Sequence, residues 1–437
     1  MAVPHIHCHG AHMRILLVNS PVSRVSPHAR MSPPLGVAYL AAHLREQGHD
    51  VHVLDLNLNG YNPQRLGLAL GRIKPELLGI SAYTETYPNA LLIAAQAKGL
   101  DPSLNVVIGG AHPSIMPEDV LGNESVDYVI VGEGEETLAE LVSALGTGED
   151  LATVRGLAWK RDGQPVVNER RPLLQADSVG LPARDLLSLE FYQDAFSVLT
   201  ARGGCPYRCP FCSAAHIWSG KHRPRSPKAV VDEIEMLVRH YGASFVFFVD
   251  DIFTLRRSWV VELLTELERL RGAITWGCGT RVDRVDKELL RSMAAHGCTG
   301  IQFGVESGSQ EILDSVKGIA KEAAVQAVQW SVTAGIRTTC SFMVPFPEDT
   351  ESTLRETFAF MGTLKDLGAE ILMSYTTPYP GTAFYEQAEE LGLTILTRDW
   401  GEYDAKHLVM ETRHLSAARI VEIVSNEAAR LGLTRSA

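Results

Sequence analysis

Short apolar runs that end in polar or glycine positions recur along the chain, with stretches of helical period between them. Arg14-Ile-Leu-Leu-Val-Asn19 is the first, and a run so continuously apolar predicts a strand buried on both faces of a parallel sheet. Leu35 to Gln47 predicts a helix with Gly48 as its stop. Further strands are predicted over Asp50–Asp55, Leu77–Tyr83, Asn105–Gly110 and Asp127–Gly132, with helices over about 88–99 and 136–145. Five strands alternating with helices predict an α/β domain built on an open, doubly wound, Rossmann-like parallel sheet. Ligands of such sheets lie at the carboxyl ends of the strands. Those ends carry Asn19-Ser-Pro21, Ser81-Ala-Tyr-Thr84, Gly109-Gly-Ala-His112 and Gly132-Glu-Gly-Glu135. No Gly-x-Gly-x-x-Gly follows the first strand, which argues against a dinucleotide site.

From Leu151 to about Tyr192 the pattern weakens to a small predicted hairpin, 156–160 and 164–167, turning at Asp162-Gly163. Beyond it, six strand-like runs begin at Ser197, Phe245, Ile274, Gly300, Arg337 and Glu370. Helical patterns follow over about 227–241, 256–271, 286–296, 309–315, 321–334 and 350–367. Six βα units are too few for a closed eight-fold barrel and predict a partial, open one with its chemistry at the carboxyl ends of the strands. The expected organisation is a disordered leader over 1–13, a first domain over 14–150, a linker over 151–192, a partial barrel over 193–382 and a short helical cap over 383–437.

Composition narrows the partners. Of 437 residues, 45% are hydrophobic and 21% charged, as in ordinary globular chains, and the net charge of −12 argues against a nucleic-acid groove. The basic run Lys221-His-Arg-Pro-Arg225 reads as a solvated loop or a carboxylate contact. No apolar run reaches 18 residues, so no membrane span is expected, and no apolar core marks a signal peptide. The histidines of the leader (His5, His7, His9, His12), with Cys8, could cluster on a metal, but a disordered leader or a start at Met13 explains them as well. Clustered thiols without an export signal point to a reducing cytoplasm.

The chemistry concentrates in Arg202-Gly-Gly-Cys-Pro-Tyr-Arg-Cys-Pro-Phe-Cys-Ser213, where Cys205, Cys209 and Cys212 stand in Cys-x3-Cys-x2-Cys spacing. Three thiolates so close can take a zinc ion, with His216 as fourth ligand, or a [4Fe–4S] cluster with one iron left open. The spacing, with Phe211 before the last thiol, resembles the radical S-adenosylmethionine (radical SAM) superfamily. That resemblance implies that the open iron chelates SAM and that reduction cleaves it to a 5′-deoxyadenosyl radical. It further implies an external electron donor such as flavodoxin or ferredoxin. By the same resemblance, Phe211 is a cofactor contact, Asp250 or Asp251 meets the methionyl ammonium, Arg281 the carboxylate and Glu306 the ribose. Each also has a structural reading: a cap, a surface pair, a strand terminus. Val344-Pro-Phe-Pro-Glu-Asp-Thr350 departs from the family pattern, with Pro345 and Glu348 where glycines are usual. Cys278, Cys298 and Cys340 read as packed core thiols.

The first domain resembles the cobalamin-binding domain found upstream of many radical SAM domains. The resemblance rests on Ser-Pro-Pro-Leu-Gly at 32–36, Gly-Gly-Ala-His-Pro at 109–113 and Gly-Glu-Gly-Glu at 132–135. It implies cobalamin contacts from Ser81, Thr84, Gly109, Gly110, His112, Glu133 and Gly134. No Asp-x-His-x-x-Gly follows the first strand, so no axial histidine is expected; a vestigial domain without cofactor is the alternative. The implied function is a cobalamin-dependent radical SAM methyltransferase acting on an unactivated carbon of a small-molecule substrate, with Tyr375 and Tyr379 as substrate contacts. A cyclising, ring-contracting or oxidising enzyme with the same cofactors, or a non-catalytic iron–sulfur or zinc protein, stand as alternatives.

Overall fold

The computed structural model describes residues 12–22, 32–58, 60–192 and 196–433, so the histidine run of the leader, apart from His12, lies outside the described residues. The chain divides into two compact units, one holding Pro34–Leu174 and Ser178–Leu189 with the first strand, the other Gln175–Asp177 and the chain from Glu190 on. Among the described residues no helix is long and apolar enough to cross a membrane.

The first unit runs β1 (Arg14–Asn19), α1 (Leu35–Glu46), β2 (Asp50–Asp55), α2 (Pro63–Ile73), β3 (Leu77–Ser81), α3 (Tyr87–Leu100), β4 (Asn105–Gly109), α4 (Ala111–Ile115), α5 (Pro117–Leu121), β5 (Tyr128–Ile130), α6 (Glu135–Thr147), β6 (Leu157–Arg161) and β7 (Gln164–Val167). The strands stand in the order β2-β1-β3-β4-β5-β6-β7. Pairing is parallel through β5 and antiparallel beyond it. The predicted hairpin is therefore the edge of this sheet instead of a separate linker element. Order reverses between β1 and β3, which makes their carboxyl ends the switch point where such sheets bind ligands. One face of the sheet is covered by α1 and α6, whose Val37, Ala41, Leu44, Leu138 and Val142 pack on Ile15, Leu17, Leu77 and Val107. Helix α2 has no counterpart in the sequence reading. Asn62 caps it by accepting from Arg65 N at 2.9 Å, and Pro63 opens it, but only Leu66 and Leu70 are buried and glycines interrupt the period.

The second unit contains β8 (Ser197–Val198), β9 (Ala201–Arg202), α7 (Ala214–Trp218), β10 (Arg223–Pro224), α8 (Pro227–Tyr241), β11 (Phe245–Phe248), α9 (Arg257–Leu267), β12 (Thr275–Arg281), α10 (Lys287–Ala295), β13 (Cys298–Glu306), α11 (Gln310–Val316), α12 (Lys321–Thr333), β14 (Arg337–Val344), α13 (Glu351–Asp366) and β15 (Glu370–Tyr375). Six of its strands lie in strict sequential order, β8-β11-β12-β13-β14-β15, all parallel, which is the partial barrel expected. Its core joins Val246, Phe248, Trp276, Phe303, Cys340 and Phe342 of the strands to Ile234, Leu263, Leu290 and Phe358 of the helices. The C-terminal segment adds α14 (Ala383–Glu386), an antiparallel pair of β16 (Leu393–Ile395) with β17 (Met410–Thr412), and α15 (Ala417–Leu431), so strands accompany the expected helices.

Candidate functional site

The cysteine loop leaves β9 through two glycines that the backbone requires. Gly203 and Gly204 have φ of +48° and +88°, and a Cβ on Gly204 would overlap the Lys221 carbonyl. Within the loop, Tyr207 is clasped by two arginines: Arg281 stacks its guanidinium 3.9 Å from the ring centroid, and Arg284 donates from Nε to the hydroxyl at 2.6 Å. Phe211 turns into an aromatic nest with Phe346, at 5.8 Å between centroids, and Phe384, at 6.3 Å. Phe346 belongs to the 344–350 loop that departs from the family pattern, and Asp349 holds it by accepting from the Phe346 amide at 2.7 Å. The loop is thus fixed at both ends and in its middle.

All three thiols are partly buried, and burial raises the pKa of each, that of Cys212 to about 11. Lys317 and Arg281 pull Cys209 back toward the thiolate. Among the described residues no three His, Cys, Asp or Glu side chains converge tightly enough for a single metal ion. A polynuclear cluster does not ask for that, since each sulfur meets a different iron. A cluster held here would have to displace thiol protons, which Lys317 and Arg281 would assist at Cys209.

Beside the loop, at the carboxyl ends of the barrel strands, is a cavity of about 440 Å³, lined by Asp250, Asp251, Arg281, Gln302, Glu306 and Lys317 among others. The four charged residues singled out from sequence therefore do meet in one place, each differently employed. Asp250 secures the strand leading into the cysteine loop: its carboxylate accepts from Ala201 N at 2.7 Å, from Thr200 Oγ1 at 2.6 Å and from Thr200 N at 3.1 Å. Burial nonetheless pushes its pKa up to about 6. Asp251 accepts from the Cys205 amide, and its pKa too is raised by burial. Arg281 is buried; Nε and Nη2 grip Asp283 at 2.9 and 3.1 Å, while Nη1 is buried without a partner among the described residues. An orphaned guanidinium nitrogen is costly to bury, so Nη1 fits an anionic ligand group such as a carboxylate.

Glu306 sits where β13 slips register, at a φ of +77° that a non-glycine residue rarely adopts. Its Oε1 accepts from Lys317 Nζ at 2.6 Å, and the same Nζ donates to the Gly304 carbonyl at 2.6 Å. Sequence reasoning missed Lys317 and Tyr207; a lone lysine after a short helix carries no signal, whereas Tyr207 lies inside the cysteine motif itself. Cys278, Cys298 and Cys340 are core side chains, and so is Tyr375, which corrects its assignment to a substrate surface.

At the switch point of the first sheet the loops are pressed together. Gly110, at φ +114°, has no room for a Cβ, which would overlap the Ala82 carbonyl. Ser114 Oγ donates to the Gly110 carbonyl at 2.7 Å and accepts from Gly132 N at 2.9 Å, tying two glycine loops. Ser20 Oγ bonds the Ser81 carbonyl at 2.6 Å. His112 is fully buried, 3.3 Å from Thr84 Oγ1 and tilted by 30° against the Tyr87 ring at 4.3 Å between centroids, and burial lowers its pKa to about 4. Glu133 accepts from Leu174 N at 2.7 Å, and a Cβ on Gly134 would lie 2.9 Å from Leu40. Thr84, His112, Glu133 and Gly134 thus brace the loops. Ser81 is half-buried, Gly109 faces Ile130, and Gly132, at φ +88°, opens on free space, so Ser81 and the two glycine loops form a polar cradle. Tyr83, two residues beyond Ser81, is 61% exposed. Glycine backbone and hydroxyls fit the close approach of a nucleotide tail.

Two family models match the chain: the B12 binding domain over residues 29–142 and the Radical SAM superfamily over 201–361. An uncharacterized methyltransferase of Pyrococcus horikoshii is 31% identical over 420 residues, 94% of this chain and 91% of the relative. The anaerobic magnesium-protoporphyrin IX monomethyl ester cyclase of Rubrivivax gelatinosus is 28% identical, over 92% of this chain and 74% of that enzyme. Among solved structures, the radical S-adenosylmethionine methyltransferase TsrM of Kitasatospora setae, with cobalamin and a [4Fe–4S] cluster bound, shares the fold at a TM-score of 0.75 and 21% identity, over 97% of this chain and 89% of that one. With both family models in that order and a relative matched almost from end to end, the chain belongs to the cobalamin-dependent radical SAM enzymes.

Proposed function

We propose that this enzyme transfers a methyl group to an unactivated carbon of a small molecule. The observation that carries the reading is the cavity beside Cys205, Cys209 and Cys212, where Arg281, Glu306 and the Asp250-Asp251 strand end meet in a chain that also has a B12-binding domain. Methylation is favoured over cyclisation because the relative matched over nearly its full length bears a methyltransferase name, while the cyclase relative extends beyond this chain.

The three thiolates would hold three irons of the cluster and leave the fourth for SAM. Arg281 Nη1 pairs with the methionyl carboxylate, and Glu306 accepts from the ribose. The Asp250 carboxylate is taken up by Thr200 and Ala201, so the backbone carbonyls of this strand end, or Asp251, receive the ammonium. Phe211 supports the loop from its aromatic nest. In the first unit, Ser81 and the glycine loops at 109–110 and 132–134 hold the corrin tail, braced by Thr84, His112 and Glu133. When bound, the cluster supplies the electron that cleaves SAM and the corrin supplies the transferable methyl group. The electron comes from an external donor of the flavodoxin or ferredoxin kind. Six free cysteines among the described residues favour a reducing, cytoplasmic setting.

Anaerobically reconstituted enzyme, given SAM, a reductant and substrate, should form S-adenosylhomocysteine together with 5′-deoxyadenosine. Deoxyadenosine without S-adenosylhomocysteine would point to the non-methylating chemistry, and zinc without labile sulfide would end the enzyme reading. Cys209→Ala should abolish the cluster and deoxyadenosine while corrin binding persists.

A further inference from the structure

Lys317 enters the site through no motif. It follows α11, yet its side chain is only 7% exposed and Nζ spends two 2.6 Å hydrogen bonds inside the cavity wall, on Glu306 Oε1 and the Gly304 carbonyl. Its backbone carbonyl accepts from Arg281 Nη2 at 3.3 Å. One residue therefore connects the arginine and the carboxylate.

A lysine that merely finished a helix would not need the accommodations made for it. Glycine at 304 is one, since a Cβ there would lie 2.6 Å from Glu306 Oε1 and 2.7 Å from Lys317 Nζ. The left-handed backbone of Glu306 is another. Burying an ammonium is unfavourable unless it is well paired, and two local rules broken at one spot mark a place where geometry is held for a purpose.

We propose that Lys317 is a positioning residue for SAM. It occupies Glu306 Oε1 and so leaves Oε2 for the ribose hydroxyls, and it holds Arg281 through its carbonyl. The inference rests on the reading of the cavity as the SAM site.

The test uses full-length, anaerobically reconstituted protein: wild type, Lys317→Met, Glu306→Gln and the double variant. SAM affinity is measured by equilibrium dialysis, and cluster loading by iron and acid-labile sulfide analysis. Lys317→Met should weaken SAM binding about tenfold or more, as loss of a charge-assisted contact does. In the Glu306→Gln background the same change should cost less than about threefold, because the group it acts through is already gone. Unchanged affinity in Lys317→Met would overturn the proposal, and so would effects on affinity that simply multiply. If Lys317→Met fails to load its cluster, the double variant decides, since it leaves no buried charge unpaired: its SAM affinity must lie within about threefold of that of Glu306→Gln. A wild type that binds no SAM would bring down the reading of the cavity as well; a wild type that binds SAM beside an indifferent variant brings down only the role of Lys317.

Discussion

Asp250 lies where a SAM contact is expected, yet its carboxylate is occupied by Thr200 and Ala201, and two substitutions separate those roles. A pKa of about 6, against 3.8 for a free carboxyl, means that holding the charge at neutral pH costs the folded state about 3 kcal/mol even after its hydrogen bonds are counted. Asparagine escapes that cost. Its oxygen can accept from the amides of Thr200 and Ala201, and its amide can donate to Thr200 Oγ1, whose hydroxyl is free to rotate. Alanine instead strands two buried backbone donors at roughly 1–3 kcal/mol each, at the entrance to the cysteine loop. Asp250→Asn should therefore load iron and acid-labile sulfide like the wild type, unfold at the same or a higher temperature, and keep its SAM affinity. Asp250→Ala should be about 2–6 kcal/mol less stable than Asp250→Asn and lose most of its cluster. Metal and sulfide analysis, thermal unfolding and equilibrium dialysis of SAM read the three quantities. Full cluster loading in the alanine variant would refute the anchoring role; a tenfold loss of SAM affinity in the asparagine variant would show that the charge itself meets the ligand.

His112 gives a pH dependence confined to the first unit. Its pKa is about 4 in the fold against 6.5 unfolded, so the unfolded chain binds the extra proton. The stability it contributes is whole above about pH 6.5 and falls as pH drops toward 4, by up to about 3 kcal/mol, and His112→Gln should flatten that slope in urea unfolding followed by B12-domain signals. Gly204→Ala should cost roughly 1–2 kcal/mol for its φ of +88° and more for the overlap with Lys221. Gly242→Ala, at φ +68° with open space, should pay only the first cost and load its cluster normally, as iron analysis will show. The exposed Tyr83 ring stands at the switch point, so Tyr83→Ala should weaken hydroxocobalamin binding at least about fivefold with unchanged melting of the corrin-free protein; equal affinities in a spectroscopic titration would exclude that contact.

The strands were legible because a buried parallel strand has to be apolar along its whole length, and Ile15 to Val18 or Val106 to Ile108 can be little else. The cysteine loop was legible because its three cysteines fall within eight residues. What escaped depends on partners distant in sequence. Lys317 meets Gly304 and Glu306 only after β13 slips register, and Asp250 reveals its anchoring role only once Thr200 lies beside it. Helix α2 hid because tertiary packing supports it through just two buried leucines. His112, in a stretch that read as a cofactor loop, is held by Tyr87 and Thr84, two elements earlier.

The nest of Phe211, Phe346 and Phe384 has a consequence for anyone who would re-engineer this enzyme. Phe384 belongs to the C-terminal segment, and its amide reaches back to the Pro210 carbonyl at 3.4 Å. A graft at residue 383, made to bring in a different C-terminal segment, therefore also replaces one wall of the iron-binding loop. Chimeras joined there should inherit altered cofactor retention along with any new specificity, unless the incoming segment carries an aromatic ring at the position of Phe384.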